Sequence, residues 1–261
     1  MFIPLHDTNP LQNIRYHYVT IGIIVINTLI WMFLGTPAIS SPELAKSASI
    51  SFGFIPSIAN DLRVMPAQYL VLPDWTSYLT YAFLHADFMH LAGNMLFIWV
   101  FGDNVEDALG HWKFLAFYLA CAAGGAFVHG LVLPASDSPL IGASGAAAGI
   151  VGAYLMLHPH VKIWVLALGR IPLKLKAYWV LGAWVAYQIG MFLFSTGSQI
   201  SWAAHVGGIV TGIVLVIFLR TPGVPLFDKE IIEGADGVAP VSAKIPVEQD
   251  NQPKTPWGRN R

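Results

Sequence analysis

Ile141-Gly142-Ala143-Ser144-Gly145-Ala146-Ala147-Ala148-Gly149-Ile150-Val151-Gly152-Ala153-Tyr154-Leu155-Met156-Leu157 is the stretch whose reading decides the fold. It carries no charge and is apolar on every face, as a helix is when it lies in a core or in lipid rather than on a surface. Up to Gly152 it is built mostly from Gly and Ala. Small residues let two helices approach closely in a bilayer, where packing rather than water drives association. Ser144 opens the small-residue run, so its hydroxyl lies near the start of the helix.

Working outward, five further apolar stretches approach the roughly 17–25 residues that cross a bilayer: Tyr18–Leu34, Phe88–Phe101 with the residues just before it, Phe114–Leu133, Tyr178–Phe194 and Trp202–Leu219. The expected fold is an all-α, polytopic membrane bundle of six transmembrane helices. Composition agrees. Hydrophobic residues make up 55% of the 261 and charged residues 11%, against about 25% charged in soluble domains. Net charge is −1, which gives no field for nucleic acid. The single cysteine, Cys121, excludes an internal disulfide and a cysteine zinc site. The first apolar run lacks a basic n-region and is too long for a signal peptide core, so it reads as a retained span. Residues 1–17 read as a cytoplasmic segment, 18–220 as the six-span domain, and 221–261, polar and Pro-rich, as a disordered cytoplasmic tail.

Lysine and arginine set the orientation. With both termini inside, inner segments hold Arg15, Lys113, Lys162, Arg170, Lys174, Lys176, Arg220 and the tail cations, while outer segments hold only Lys46 and Arg63. The N-in/C-in topology follows. The stretch Ile163–Lys176 then reads as an inner-face loop drawn to anionic lipid.

Polar groups inside spans are costly and mark function. His90 and Asn94 lie at the start of the second span, four residues apart and so on one helix face. Ser144 opens the fourth. His205 lies near the start of the sixth, within Ala204-His205-Val206-Gly207-Gly208. Even-numbered spans enter from the outer side, so all three groups sit within ~10 Å of the outer helix ends at 1.5 Å per residue. Gly208 and Gly212 form a GxxxG pair facing the small residues of span four, an arrangement that would bring Ser144 and His205 within hydrogen-bond reach. Alone, Ser144 reads as packing and His205 as a structural histidine. At one depth they read as nucleophile and general base. The oxyanion of the tetrahedral intermediate needs preorganised donors, and the Asn94 amide, the His90 imidazole and the Ser144 backbone N–H are available. His85 reads as structural, holding backbone in the loop before the second span. Asp87, Asp103, Asp107 and Asp137 fall at span ends or in loops, so no third acidic member is evident. A metal site at His85, Asp87 and His90 fits poorly, because the two histidines do not share a helix face.

Together these residues resemble the rhomboid family of intramembrane proteases. The resemblance rests on His85-x4-His90-x3-Asn94, Glu106-x3-Gly110, Gly142-x-Ser144-Gly145 and Ala204-His205-x2-Gly208-x3-Gly212, in order and on the matching spans. It extends to about residue 220, and Ile3-Pro4-Leu5-x-Asp7-x2-Pro10 is similar to bacterial members. The resemblance implies a Ser144–His205 dyad, with an oxyanion hole of His90, Asn94 and the Ser144 amide. Gly142, Gly145 and Gly208 would be structural near the site. The implied reaction is cleavage of peptide bonds in or near transmembrane segments of membrane proteins, without cofactor or metal, in a bacterial inner membrane with the site facing outward. Two departures stand out. Trp75 is followed by Thr76 where many members have Arg. Ala148 stands where an aromatic often packs on the histidine, which leaves the orientation of the His205 ring open. A catalytically inactive relative that binds membrane helices is the second reading. A transporter is the third, disfavoured because spans four and six below the polar layer hold mainly Gly, Ala, Ile, Val and Leu.

Overall fold

The computed structural model describes residues 2–36, 39–167, 169–195 and 201–228. Among them the helices are α1 (Tyr18–Gly35), α2 (Pro42–Phe52), the single turns α3 (Pro56–Ala59) and α4 (Ser77–Thr80), α5 (Phe88–Leu109), α6 (His111–Val132), α7 (Ser144–Leu157), α8 (Ala177–Phe194) and α9 (Trp202–Leu219). Three short 3-10 turns (Ala67–Tyr69, Asp74–Thr76 and Tyr81–Phe83) and three strands, β1 (Phe2–Asp7), β2 (Lys162–Ala167) and β3 (Ile171–Lys176), complete the described elements. By length and composition α1, α6, α8 and α9 can each cross a membrane. Of α7, 11 of 14 residues are buried, whereas only 17% of α1 and 22% of α8 is. Phe33, Phe194 and Phe218 are largely exposed, a distribution that suits lipid rather than water as the surrounding solvent.

Glycine contacts give the helix directions. A methyl group on Gly208 would fall onto the carbonyl of Gly145, and one on Gly212 onto the carbonyl of Gly149. The register advances together, so α7 and α9 run parallel in near backbone contact. Against α6 the register reverses: Gly145 meets Gly125, while Gly149 meets Cys121. Helix α5 runs parallel to α7, with Gly142 beside His90 and Phe101 packed on Tyr154 at 5.0 Å between ring centroids. Helix α8 runs antiparallel to α9, with Tyr187 on Trp202 and Trp184 by His205. The helices that carry His90, Ser144 and His205 therefore all begin at one end of the bundle.

The other end holds what the sequence reading did not foresee. The stretch Ile163–Lys176, expected as a loop, is an antiparallel hairpin, with Lys162 opposite Lys176 and Ala167 opposite Ile171. Strand β1 adds to β2 with an irregularity between Pro4 and His6. Ile163 and Val165, alternate residues of β2, are fully buried. That period of two is what a half-buried strand requires. Helix α5, expected to end near Phe101, continues to Leu109. It can, because two of its acidic residues, Glu106 and Asp107, are satisfied from other segments. Glu106 accepts from the Val19 and Thr20 amides, the Thr20 hydroxyl and His111. Asp107 accepts from the Gln12, Asn13 and Ile14 amides. Asp7 accepts from Tyr154 Oη and, at 2.9 Å, from Asn104 Nδ2. The expected tail begins with a tethered stretch: Thr221 N donates to Ala108 O, Phe227 N to Met156 O, and Asp228 pairs with His158. Residues 229–261 of that tail lie outside the described residues.

Candidate active site

Helix starts dictate the geometry. Helix α5 begins at Phe88 because the Asp87 side chain accepts the His90 N–H at 2.9 Å. Helix α9 begins at Trp202 because Ser201 Oγ accepts the Ala204 N–H at 3.2 Å and is itself 2.6 Å from His129 Nδ1. Helix α7 differs. Its N-cap is Ala143, and no side chain caps it. Among the described residues, the first-turn amides, beginning with that of Ser144, thus keep unused donors at the positive end of a helix.

Gly142 delivers Ser144 to that position. Its φ of +122° is one that side-chain-bearing residues rarely adopt, and a Cβ there would strike His90 Nε2. The same Cβ would lie 3.6 Å from Asn94 Nδ2. His90 and Asn94 therefore lie against the backbone two residues before Ser144. His85 joins the two segments: its Nε2 is 3.0 Å from Asn94 Nδ2 and accepts the Ala143 N–H at 3.4 Å. Its ring meets that of His90 edge to face at 5.1 Å. The Gly142 N–H donates to Tyr81 O at 2.9 Å, and Tyr81 Oη donates to Ala122 O at 2.8 Å. Tyr81 thus ties the segment before α7 to α6.

Across the α7–α9 contact, a Cβ on Gly145 would stand 3.4 Å from Ala204 O. Ser144 and His205 flank that contact, one residue away on each helix, and both are half-buried. Among the described residues no hydrogen bond joins Ser144 Oγ to His205. The His205 ring is held from its other side. Nδ1 lies 2.8 Å from Gln188 Oε1 on α8. Trp184 lies roughly parallel to the ring at 6.5 Å, and Trp202 meets it edge-on at 5.9 Å. These side chains occupy the orienting role that Ala148, a buried methyl, cannot. Gln188 is the residue that sequence reasoning passed over. The signal was present: a lone carboxamide inside an apolar span.

A half-buried serine on an uncapped helix start, beside a histidine and roofed by a histidine and an asparagine, defines a candidate hydrolytic site in a helical membrane bundle. The sequence model of the rhomboid domain matches residues 73–222, more than half of the chain, and the chain belongs to the rhomboid family. It is 34% identical over 142 residues to "Rhomboid protein 1, mitochondrial" of Saccharomyces cerevisiae, covering 51% of this chain and 38% of that protein. To "Rhomboid-like protein 11, chloroplastic" of Arabidopsis thaliana it is 29% identical over 166 residues, 60% and 58% of the two chains. To "Rhomboid protease GluP" of Bacillus subtilis it is 29% identical over 160 residues, 61% and 29%. The match thus spans between about a third and three fifths of each relative's length.

Proposed function

We propose that this protein is an intramembrane serine endopeptidase that hydrolyses peptide bonds in or near transmembrane segments of other membrane proteins. Ser144 Oγ attacks the scissile carbonyl carbon while His205 Nε2 takes its proton. The oxyanion forms against the Ser144 N–H, the Asn94 amide and His90. His205 then returns the proton to the leaving amine, and water hydrolyses the acyl-Ser144 ester with His205 again as base. The observation that carries this reading is the uncapped start of α7. Helix starts α5 and α9 satisfy their amides with side chains; the one bearing Ser144 leaves donors where negative charge would develop. The alternating directions of α1, α5, α6, α7, α8 and α9 support six spans. The lysines and arginine of the β-hairpin end support N-in/C-in with the Ser144 end outward; the membrane proposed is a bacterial inner membrane.

The missing Ser144–His205 hydrogen bond favours a second reading, an inactive relative that binds membrane helices. Cleavage of a model transmembrane substrate decides between them. Ser144→Ala and His205→Ala should each lower turnover by about 10⁴-fold or more while the protein still folds; native-rate cleavage by either variant sinks the dyad. With Cys121 replaced, cysteines at Ser138 and Arg170 should react with an impermeant thiol reagent from opposite sides. Reaction from the same side would break the topology.

A further inference from the structure

Helix α8 is apolar along almost its whole length, and Gln188 is its single carboxamide. It is 3% exposed. A buried carboxamide oxygen in an apolar medium is costly without a donor, and that of Gln188 faces His205 Nδ1 at 2.8 Å. A carbonyl oxygen can only accept, so the hydrogen of the neutral imidazole sits on Nδ1. Nε2 is then left with its lone pair. We propose that Gln188 is a positioning residue for the general base, holding the His205 ring in the one tautomer and orientation from which Nε2 can take the Ser144 proton. The inference rests on the reading of Ser144 and His205 as a dyad.

The surroundings favour an amide in this role. A carboxylate here would bring an ion into a layer with little water to solvate it, whereas Gln188 supplies the acceptor without a net charge. Trp184 and Trp202 lie against the same ring at 6.5 Å and 5.9 Å, so the ring is confined by two indoles and pinned by one hydrogen bond. When Nε2 takes the proton, the ring becomes an imidazolium and Nδ1–H a stronger donor, so the bond to Gln188 strengthens as the tetrahedral intermediate forms. Help that grows toward the transition state appears in kcat rather than KM. The other titratable group acting on His205 is His90 of α5.

The test compares full-length native protein, Gln188→Leu and Gln188→Glu in proteoliposomes with one transmembrane substrate, measuring kcat, KM and the pH profile of kcat/KM. Gln188→Leu should lower kcat about 10- to 100-fold, the range for removing a partner that orients a functional histidine, with KM within about two-fold of native. Gln188→Glu keeps an acceptor. It should recover most of the lost kcat and move the acid limb of the profile to higher pH, because a carboxylate beside the ring favours its protonated form. A glutamine that does not bond the His205 ring would leave that limb in place. Native kcat in Gln188→Leu, or a loss confined to KM, overturns the proposal. Should Gln188→Leu fail to fold, the Gln188→Glu profile decides: an acid limb moved upward supports positioning, and an unmoved limb overturns it. Activity surviving in Ser144→Ala or His205→Ala overturns the dyad and this inference together. Inactive Ser144→Ala with native-rate Gln188→Leu overturns the inference alone.

Discussion

At the β-sheet end of the bundle, Glu106 is fully buried and accepts four hydrogen bonds, from Val19 N, Thr20 N, Thr20 Oγ1 and His111 Nδ1. At the opposite end, Ser144 Oγ makes none among the described residues, and the helix it starts has no side-chain cap. Both ends take polar groups out of water. In one, each lone pair of the Glu106 carboxylate is answered, and Glu106 and Asp107 bind α1 and the N-terminal segment to α5. In the other, donors and a nucleophile are left with spare capacity at the edge of a close-packed helix pair. Saturated polar clusters hold structure; unsaturated ones persist only where something else is to be bound. On this account, substitutions of the unsaturated polar groups at the Ser144 end change turnover and leave stability nearly intact, and substitutions of the saturated groups at the sheet end do the reverse.

The largest expected effect outside the dyad is at Asn94. Asn94→Ala should cut kcat about 10²–10³-fold with KM little changed, the cost of one oxyanion donor. A change confined to KM would put Asn94 in substrate binding and blur the contrast. Next comes Gly208, where even a methyl group meets the Gly145 carbonyl. Gly208→Ala should cost about 1–3 kcal/mol as an overpacked contact, read as a lowered Tm in detergent. Gly182→Ala on α8, where nothing lies within 4 Å of the added methyl, should not lower it. Equal losses would mean that the α7–α9 contact is not what holds the pair together. At the sheet end, Glu106→Gln replaces one acceptor oxygen with a donor amide facing donors. It should cost about 1–3 kcal/mol, with kcat of the folded fraction unchanged; a kcat loss like that of Asn94→Ala would erase the distinction between the ends.

The last effect, seen only as pH is varied, is at Asp7. Burial pushes its carboxyl up to about 6, Tyr154's hydrogen bond opposes this, and nearby Asp103 adds to the rise. Because the folded value lies above the unfolded one, the folded state binds the proton more tightly. Stability should therefore rise as pH falls through about 6 and level off below about 4. The change should be about 1–3 kcal/mol, and Asp7→Asn should abolish it. An unaltered profile in that variant would assign the titration elsewhere.

The two ends also differ in how far the sequence revealed them. The spans Tyr178–Phe194 and Trp202–Leu219 were legible to within a residue, because long apolar runs between polar breaks have few other solutions in lipid. The close α7–α9 approach was legible too, since the Gly/Ala stripe and the Gly208/Gly212 pair have one use. The β-hairpin was not. Lys162, Lys174, Lys176 and Pro172 masked the alternation of Ile163 and Val165, and the strand that completes the sheet comes from the far end of the sequence. Asp103 and Asp107 looked like span ends because charge in a helix looks terminal until its partners are known. The partners of Asp107, the backbone amides of Gln12, Asn13 and Ile14, are over 90 positions away. Gln188 was visible as a polar residue in a span, but its relation to His205 depends on a helix crossing that spacing alone does not supply.

The central claim is that the unsaturated end contains an activated serine. Labelling with a fluorophosphonate probe tests this without a substrate, since the probe reacts only with a serine whose proton a base can take. The native protein should be labelled, Ser144→Ala should not, and His205→Ala should be labelled far more slowly. Labelling of Ser144→Ala at the native rate, or no labelling of the folded native protein, would contradict it.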